Sequence, residues 1–146
     1  IFREELINLL SWTGKEKSEI EKTVCDLMGE GGSEQLDERR KVRFSDLTLY
    51  PELRQMVEQE TKDVSERMAM FTYTRDFTSL ENGMAKKGSL RQCRCVKSGL
   101  HFQGVCFCDG KDKKLVEEVL SLIKWVGTMR NRGFGRATIS AEEQYE

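Results

Sequence analysis

Proline is almost absent from this sequence, and no long apolar run occurs in it. A single proline, Pro51, among 146 residues excludes proline-rich disorder. No apolar run comes near the length of about 18 residues that a membrane-spanning helix requires, and the charged start does not resemble a secretory signal peptide. The formal net charge is −1, so any nucleic-acid binding must come from a local cationic patch. The length predicts one domain with one core.

The positions of the apolar residues predict the order of helices and strands. A spacing of three and four residues predicts helices at 1–12, 15–28, 51–64 and 115–126. Alternating, β-branched or aromatic residues predict strands at 41–50, 68–78, 89–96, 101–108 and 136–140. A change of phase at Ser45-Asp46 predicts a bulge in the first of these strands. Segment 29–40 and the acidic tail are predicted loops, and the whole order belongs to the α+β class.

The sequence opens with Ile1, inside the first predicted helix, instead of with a methionine. We therefore expect a processed, truncated or partial protein. A strand placed before Ile1 would complete the β-α-β-β-α-β order of ferredoxin-like and RNA-recognition-motif domains. The expected fold is a domain of this kind with its first strand missing.

Four of the five cysteines form two Cys-x-Cys pairs, Cys93 with Cys95 and Cys106 with Cys108. The odd total without a signal peptide favours reduced thiols and a cytoplasmic protein. A turn at Ser98-Gly99 predicts that the two pairs lie on one hairpin, where four thiolates on one face could hold zinc. The Cys-x-Cys spacing differs from the usual Cys-x-x-Cys knuckle, so we favour small side chains in a half-buried sheet and expect no cofactor. Zinc or a disulfide is the alternative interpretation.

The only histidine, His101, lies in the predicted hairpin turn. A general base or a metal ligand is one interpretation of this residue. No acid is visibly placed in the sequence to orient its ring, which argues against that interpretation.

The most informative segment is WVGTMRNRGFGRATI, which joins the last predicted helix to the last predicted strand. Glycines allow positive φ and a close approach of the backbone, and guanidinium groups bind phosphates. The segment lacks the GK[ST] of a Walker loop and has the wrong element order for a dinucleotide fingerprint. We interpret it as a polyanion-binding loop, with a solvated turn as the alternative. The candidate RNA-binding residues are Gly127, Arg130, Asn131, Arg132, Gly133, Gly135 and Arg136.

This loop resembles the carboxy-terminal glycine-rich loop of the RAMP superfamily of CRISPR effector subunits, roughly G-x-x-x-SRG-[FYL]-G-[RK]-[VA]. Three earlier segments resemble family segments in the same order: IFREELINLL, VRFSDLTLY and TYTRDFTSLENGMAKKGSLRQCRCVKSGLHFQGVCF. In the third segment Cys93 stands where the family usually has an acid. The resemblance is closest to the type III backbone subunits that polymerise along the guide RNA.

The resemblance implies one RAMP domain over 1–146, amino-terminally incomplete, with a thumb-like insertion at 50–90. It implies that the glycine-rich loop binds the guide-RNA backbone in a type III-like antiviral interference complex. The implied partners are guide RNA, target RNA and other effector subunits, with no membrane. In that family an aspartate after the first strand cuts target RNA. That loop would precede Ile1, so we expect no catalysis from this chain alone, although it could be part of a cleaving subunit.

Asp46 does not replace that aspartate, because it lies in the FSD segment, where a turn or bulge hydrogen bond is the simpler role. Two other functions stay open. One is a RAMP-like endoribonuclease that processes guide RNA and uses His101. The other is a scaffold domain that binds only protein through its acidic helices.

Overall fold

A computed structural model describes residues 1–29 and 40–142, so most of the predicted polar loop and the end of the acidic tail lie outside the described residues. The elements in chain order are α1 (Phe2–Trp12), α2 (Lys17–Met28), β1 (Arg43–Phe44), β2 (Thr48–Leu49), α3 (Pro51–Glu60), α4 (Val64–Phe71), β3 (Thr72–Phe77), β4 (Leu80–Glu81), β5 (Met84–Ala85), β6 (Arg91–Val96), β7 (Phe102–Gln103), β8 (Cys106–Phe107) and α5 (Lys113–Leu122). Helices combined with small antiparallel sheets confirm the α+β class.

The chain forms two compact units. Unit 1 consists of the described residues of Ile1–Ser45 and Cys106–Glu146, and unit 2 is Asp46–Val105. The predicted insertion at 50–90 lies within unit 2, and its assignment as a thumb stays a prediction.

Unit 1 contains the hydrophobic core, which α1, α2 and α5 build from one face each. The helical spacing that predicted α1 and α2 is confirmed, since the residues at that spacing are the buried ones. The buried core residues are Phe2, Leu6, Leu10, Ile20, Val24, Leu27, Val42, Val116, Val119 and Ile123. Leu6 and Val119 are fully buried, which places them at the centre of this core.

A short antiparallel ladder joins β1 to β8 within unit 1. It pairs Arg43 with Phe107 and Phe44 with Cys106. The ring of Phe2 packs edge-on against Phe44 at a centroid distance of 5.1 Å, which anchors the ladder to α1. The bulge predicted at Ser45-Asp46 is wrong, because the strand ends there: β1 stops at Phe44, β2 begins only at Thr48, and the two pair with different strands.

Unit 2 is built on a long two-stranded ribbon of β3 and β6. Six pairs run from Thr72–Val96 to Phe77–Arg91. Beyond them, β4 and β5 form a hairpin whose turn residues Asn82 and Gly83 both have positive φ, as a type I′ turn requires. Among the described residues of this unit, only Cys95 is a buried hydrophobic residue.

The predicted hairpin between 89–96 and 101–108 is wrong. Instead, β6 pairs with β3, β7 with β2 and β8 with β1. The segment at 72–77 offers an unbroken partner of six residues, whereas Gly104 divides the second predicted strand into β7 and β8. The Asn82-Gly83 turn, not Ser98-Gly99, reverses the chain of the long ribbon.

Other predicted boundaries are also corrected, and the helix predicted at 51–64 ends at Glu60. The strand predicted from 68 begins only at Thr72, because the Asp63 carboxylate accepts hydrogen bonds from the N–H groups of Ser65 and Glu66 and so starts α4. Helix α5 ends at Leu122, four residues earlier than predicted. The strand predicted at 136–140 is reduced to an isolated bridge.

Candidate nucleic-acid interface

The candidate interface is the glycine-arginine loop, residues 127–135, which unit 1 closes at its base by antiparallel pairing. The Val126 N–H donates to the Gly135 carbonyl at 2.7 Å, and the Ala137 N–H donates to the Lys124 carbonyl at 3.0 Å. This pairing explains why α5 stops early. The chain must become extended after the helix to pair with the segment that returns from the loop.

Glycines allow the backbone of the loop to turn. Gly127, Gly133 and Gly135 have φ of 84°, 81° and 77°, a region that residues with a side chain rarely adopt. A Cβ on Gly135 would lie 1.8 Å from the Val126 carbonyl oxygen, whereas a Cβ on Gly133 would meet no atom within 4 Å. Gly135 is therefore required by close packing, and Gly133 by backbone conformation alone.

The cationic residues of the loop lie on one short 3-10 turn, Arg130–Arg132. The Gly133 N–H donates to the Arg130 carbonyl at 3.0 Å and closes this turn. Arg130, Asn131 and Arg132 are all exposed, so their side chains are accessible to a ligand. The turn follows Met129, whose φ of 60° is left-handed and was not foreseen from its residue type.

An acidic residue from α1 contacts the loop. A guanidinium nitrogen of Arg130 lies 3.7 Å from a carboxylate oxygen of Glu4, with side chains 41% and 61% exposed. An ion pair this exposed contributes little stability, about 0–1 kcal/mol, so a phosphate can replace the carboxylate at low cost. Sequence reasoning missed Glu4, because 126 positions of sequence separate the two residues and no local pattern links them.

The structure places six of the seven candidate RNA-binding residues in the exposed glycine-arginine loop. Gly127, Asn131 and Gly133 belong to the loop together with Gly135 and the two arginines of the turn. Arg136 lies just outside the loop, in the bridge with Trp125 that closes its base. Their RNA-binding role stays a prediction.

The cysteines of the two Cys-x-Cys pairs are buried or half-buried free thiols. Burial raises the pKa of Cys95, and the neighbouring Cys93 raises it further. Burial raises the pKa of Cys106 to about 11, with a smaller contribution from Cys108. Metal binding needs thiolates, and the raised pKa of Cys95 and Cys106 disfavours that form. Within 1–29 and 40–142, no group of three or more His, Cys, Asp or Glu residues could hold a metal ion.

His101 lines an open cleft of about 360 Å³ in unit 2, together with Tyr50, Glu52, Leu53 and Gly99. Its ring meets the Tyr50 ring edge-on at 6.2 Å. Although Glu52 lines the same cleft, His101 has no hydrogen bond to any residue in the part of the chain that the structure describes. The ring is therefore not oriented as a general base requires.

Asp46 is exposed and lies between β1 and β2, outside any strand. No helix of the described residues is long and apolar enough to cross a membrane.

Comparison with known proteins places the chain in a family. The model of the RAMP superfamily matches residues 1–138, nearly the whole length. The chain belongs to the RAMP superfamily. The α+β arrangement is consistent with the ferredoxin-like fold of RAMP proteins. RAMP proteins generally bind CRISPR RNA and work in complexes, which supports a CRISPR-associated, RNA-binding role for this one. No curated protein matches the sequence.

Proposed function

We propose that this RAMP protein is a CRISPR effector subunit that binds the backbone of the guide RNA in a type III-like antiviral interference complex. The observation that supports this proposal is the closed, exposed glycine-arginine loop. It combines cations, positive-φ glycines and a short turn in one place, on a chain whose net charge of −1 supplies no general attraction for RNA.

The geometry of the turn suits successive phosphates. A 3-10 helix has about three residues per turn, so side chains two positions apart diverge by roughly 120°. Arg130 and Arg132 therefore point in different directions and suit two phosphates along a strand more than a single one. Guanidinium groups form bidentate, charge-assisted hydrogen bonds with phosphate oxygens.

Glycine also contributes to the proposed interface through the backbone. Gly127 and Gly133 carry no Cβ, and no neighbouring atom would lie within 4 Å of a Cβ built on either residue. The ribose-phosphate chain can therefore approach the main chain of the loop without a steric barrier. A larger residue at either position would place side-chain atoms between the RNA backbone and the main chain of the loop.

The proposed partners besides guide RNA are target RNA and other subunits of the complex, and this chain could be part of a subunit that cleaves target RNA. The proposed location is the cytoplasm, where thiols stay reduced. The five free cysteines fit a reducing compartment.

Filter binding with a CRISPR repeat-derived RNA across a salt series tests the proposal. We expect saturable binding that weakens with salt, with a slope of log K against log salt of about −0.7 per phosphate contact on a single strand. An absence of saturable binding would favour the protein-binding scaffold. RNA cleavage that disappears in a His101→Ala variant would favour the processing endoribonuclease.

A further inference from the structure

A second cleft lies in unit 1 at the base of the glycine-arginine loop. Its volume is about 250 Å³, and its lining includes Ser121, Lys124, Arg136 and Thr138, with three apolar residues completing the wall. The cleft is thus formed where the end of α5 meets the segment that returns from the loop. Of its lining residues, only Arg136 was a candidate from the sequence.

The charges of this cleft are of one sign. Lys124 and Arg136 are cationic, and no acidic residue lines the cleft. In contrast to Arg130, neither has an ion-pair partner in the described part of the chain. Two exposed cations that share a cleft without a carboxylate form a site for an anion.

The hydroxyl residues add polar groups to the same cleft. The Ser121 hydroxyl donates to the Glu118 carbonyl at 2.7 Å, so its proton is not available to a ligand. The Thr138 hydroxyl has no hydrogen bond within residues 1–29 and 40–142, so its proton is available to a ligand oxygen. An anion with several acceptor oxygens fits this donor set.

We propose that this cleft binds a phosphate group of a nucleotide, with Lys124 and Arg136 neutralising its charge and Thr138 donating a hydrogen bond. The proposal rests on the proposed function in one respect, since Arg136 is also a candidate RNA-binding residue. The cleft has the volume that about eight molecules occupy in liquid water, which leaves room for the sugar that carries the phosphate. The apolar wall suits the carbon face of that sugar.

Binding of adenosine 5′-monophosphate and of inorganic phosphate to the full chain tests the proposal without any RNA. Isothermal titration calorimetry should show saturable binding of both, and adenosine, which lacks the phosphate, should not bind. Lys124→Gln and Thr138→Val should each weaken binding, Lys124→Gln by at least about tenfold because a charge-assisted contact is lost. The matched control is Lys114→Gln, which removes an exposed lysine from the other end of α5 and should leave affinity unchanged.

Circular dichroism of each variant shows whether it folds, so a loss of binding can be assigned to the cleft. Equal weakening by Lys114→Gln, or the absence of phosphate binding by the wild type, overturns the proposal. RNA binding that fails while adenosine monophosphate binding persists contradicts the proposed function only. RNA binding that persists while adenosine monophosphate binding fails contradicts only the proposed phosphate cleft.

Two short RNAs of one sequence, with and without a 5′-phosphate, identify the source of the phosphate. A preference for the phosphorylated RNA that Lys124→Gln abolishes indicates a terminal phosphate. Equal affinity for both RNAs, reduced to the same extent by Lys124→Gln, indicates an internal one. Affinity for both RNAs that Lys124→Gln leaves unchanged contradicts the proposal for RNA of either kind.

Discussion

Gly133 and Gly135 have similar positive φ, but their surroundings differ. At Gly133 the space for a side chain is open, so an alanine there is penalised only by the left-handed backbone. At Gly135 the Val126 carbonyl oxygen occupies the place of a Cβ. The loop therefore depends on one glycine for conformation and on the other for packing at its base.

This difference predicts unequal effects of two otherwise identical substitutions. Gly133→Ala should lower the free energy of unfolding by about 1 kcal/mol, the cost of a left-handed alanine. Gly135→Ala should lower it by about 2–3 kcal/mol, because the hydrogen bond between Val126 and Gly135 must also break. Urea unfolding followed by circular dichroism measures both, and equal losses would show that the base of the loop is not packed as described.

The Cys106 thiol predicts a pH dependence of stability. Its pKa is about 11 in the folded chain against an ordinary 9.0. Between these values the unfolded chain loses the proton while the folded chain keeps it, so the thiol makes the free energy of unfolding fall as pH rises from about 9 to about 11. Below about pH 9 it makes no such contribution.

The control for this prediction is Cys106→Ala, which removes the titrating group. The stability advantage of the wild type over this variant should decrease across pH 9–11 in urea unfolding. A difference that stays constant over this range would mean that the Cys106 pKa is not raised by folding.

At the scale of elements, the ion pair between Arg130 and Glu4 connects the loop to α1. In the proposed interface, Glu4 competes with RNA phosphates for the guanidinium group. Glu4→Gln should therefore raise RNA affinity by about two- to fivefold, the factor that corresponds to an exposed pair of up to about 1 kcal/mol. The effect should vanish in an Arg130→Ala background, because the competing pair no longer exists.

The control for this effect is Glu21→Gln, which removes an exposed, ion-paired acid from α2 and gives the same change of net charge. Fluorescence anisotropy with a labelled RNA measures both variants. If Glu21→Gln raises affinity as much as Glu4→Gln does, the effect comes from net charge and not from the loop.

Local patterns predicted the elements better than the contacts between them. The spacing of Leu6 and Leu10 predicted the buried face of α1, because a helix buries residues of one face whatever lies opposite. The pairing of β6 with β3 could not be predicted in this way, since a strand's partner depends on which segment is free to meet it. Glu4, the unexpected contributor to the loop, lies on α1 and shares no local pattern with it.

The whole molecule divides its apolar burial unevenly between the two units. Helices α1 and α2 each bury three residues, whereas α3 and α4 bury none. Since local stability follows the number of buried apolar contacts, unit 2 should open more readily than unit 1.

Hydrogen exchange monitored by mass spectrometry tests this inequality on the full chain. Amides in α1, α2 and α5 should show protection factors at least about tenfold above those in α3 and α4, a difference of about 1.4 kcal/mol in opening free energy. Equal protection of both sets of helices would contradict the assignment of the core to unit 1.

A titration with guide-type RNA tests whether the glycine-arginine loop is the RNA-binding site. The affinity for this RNA is measured for the wild type, for a loop variant with Arg130→Ala and Arg132→Ala, and for a lysine variant with Lys113→Ala and Lys114→Ala. The lysine variant removes two charges at the start of α5. We predict that the loop variant loses about 1–2 kcal/mol per contact and that its salt slope becomes shallower by about 0.7 per phosphate contact. The lysine variant should retain both values. If the two variants weaken binding equally, the attraction is diffuse charge and the loop is not the RNA-binding site.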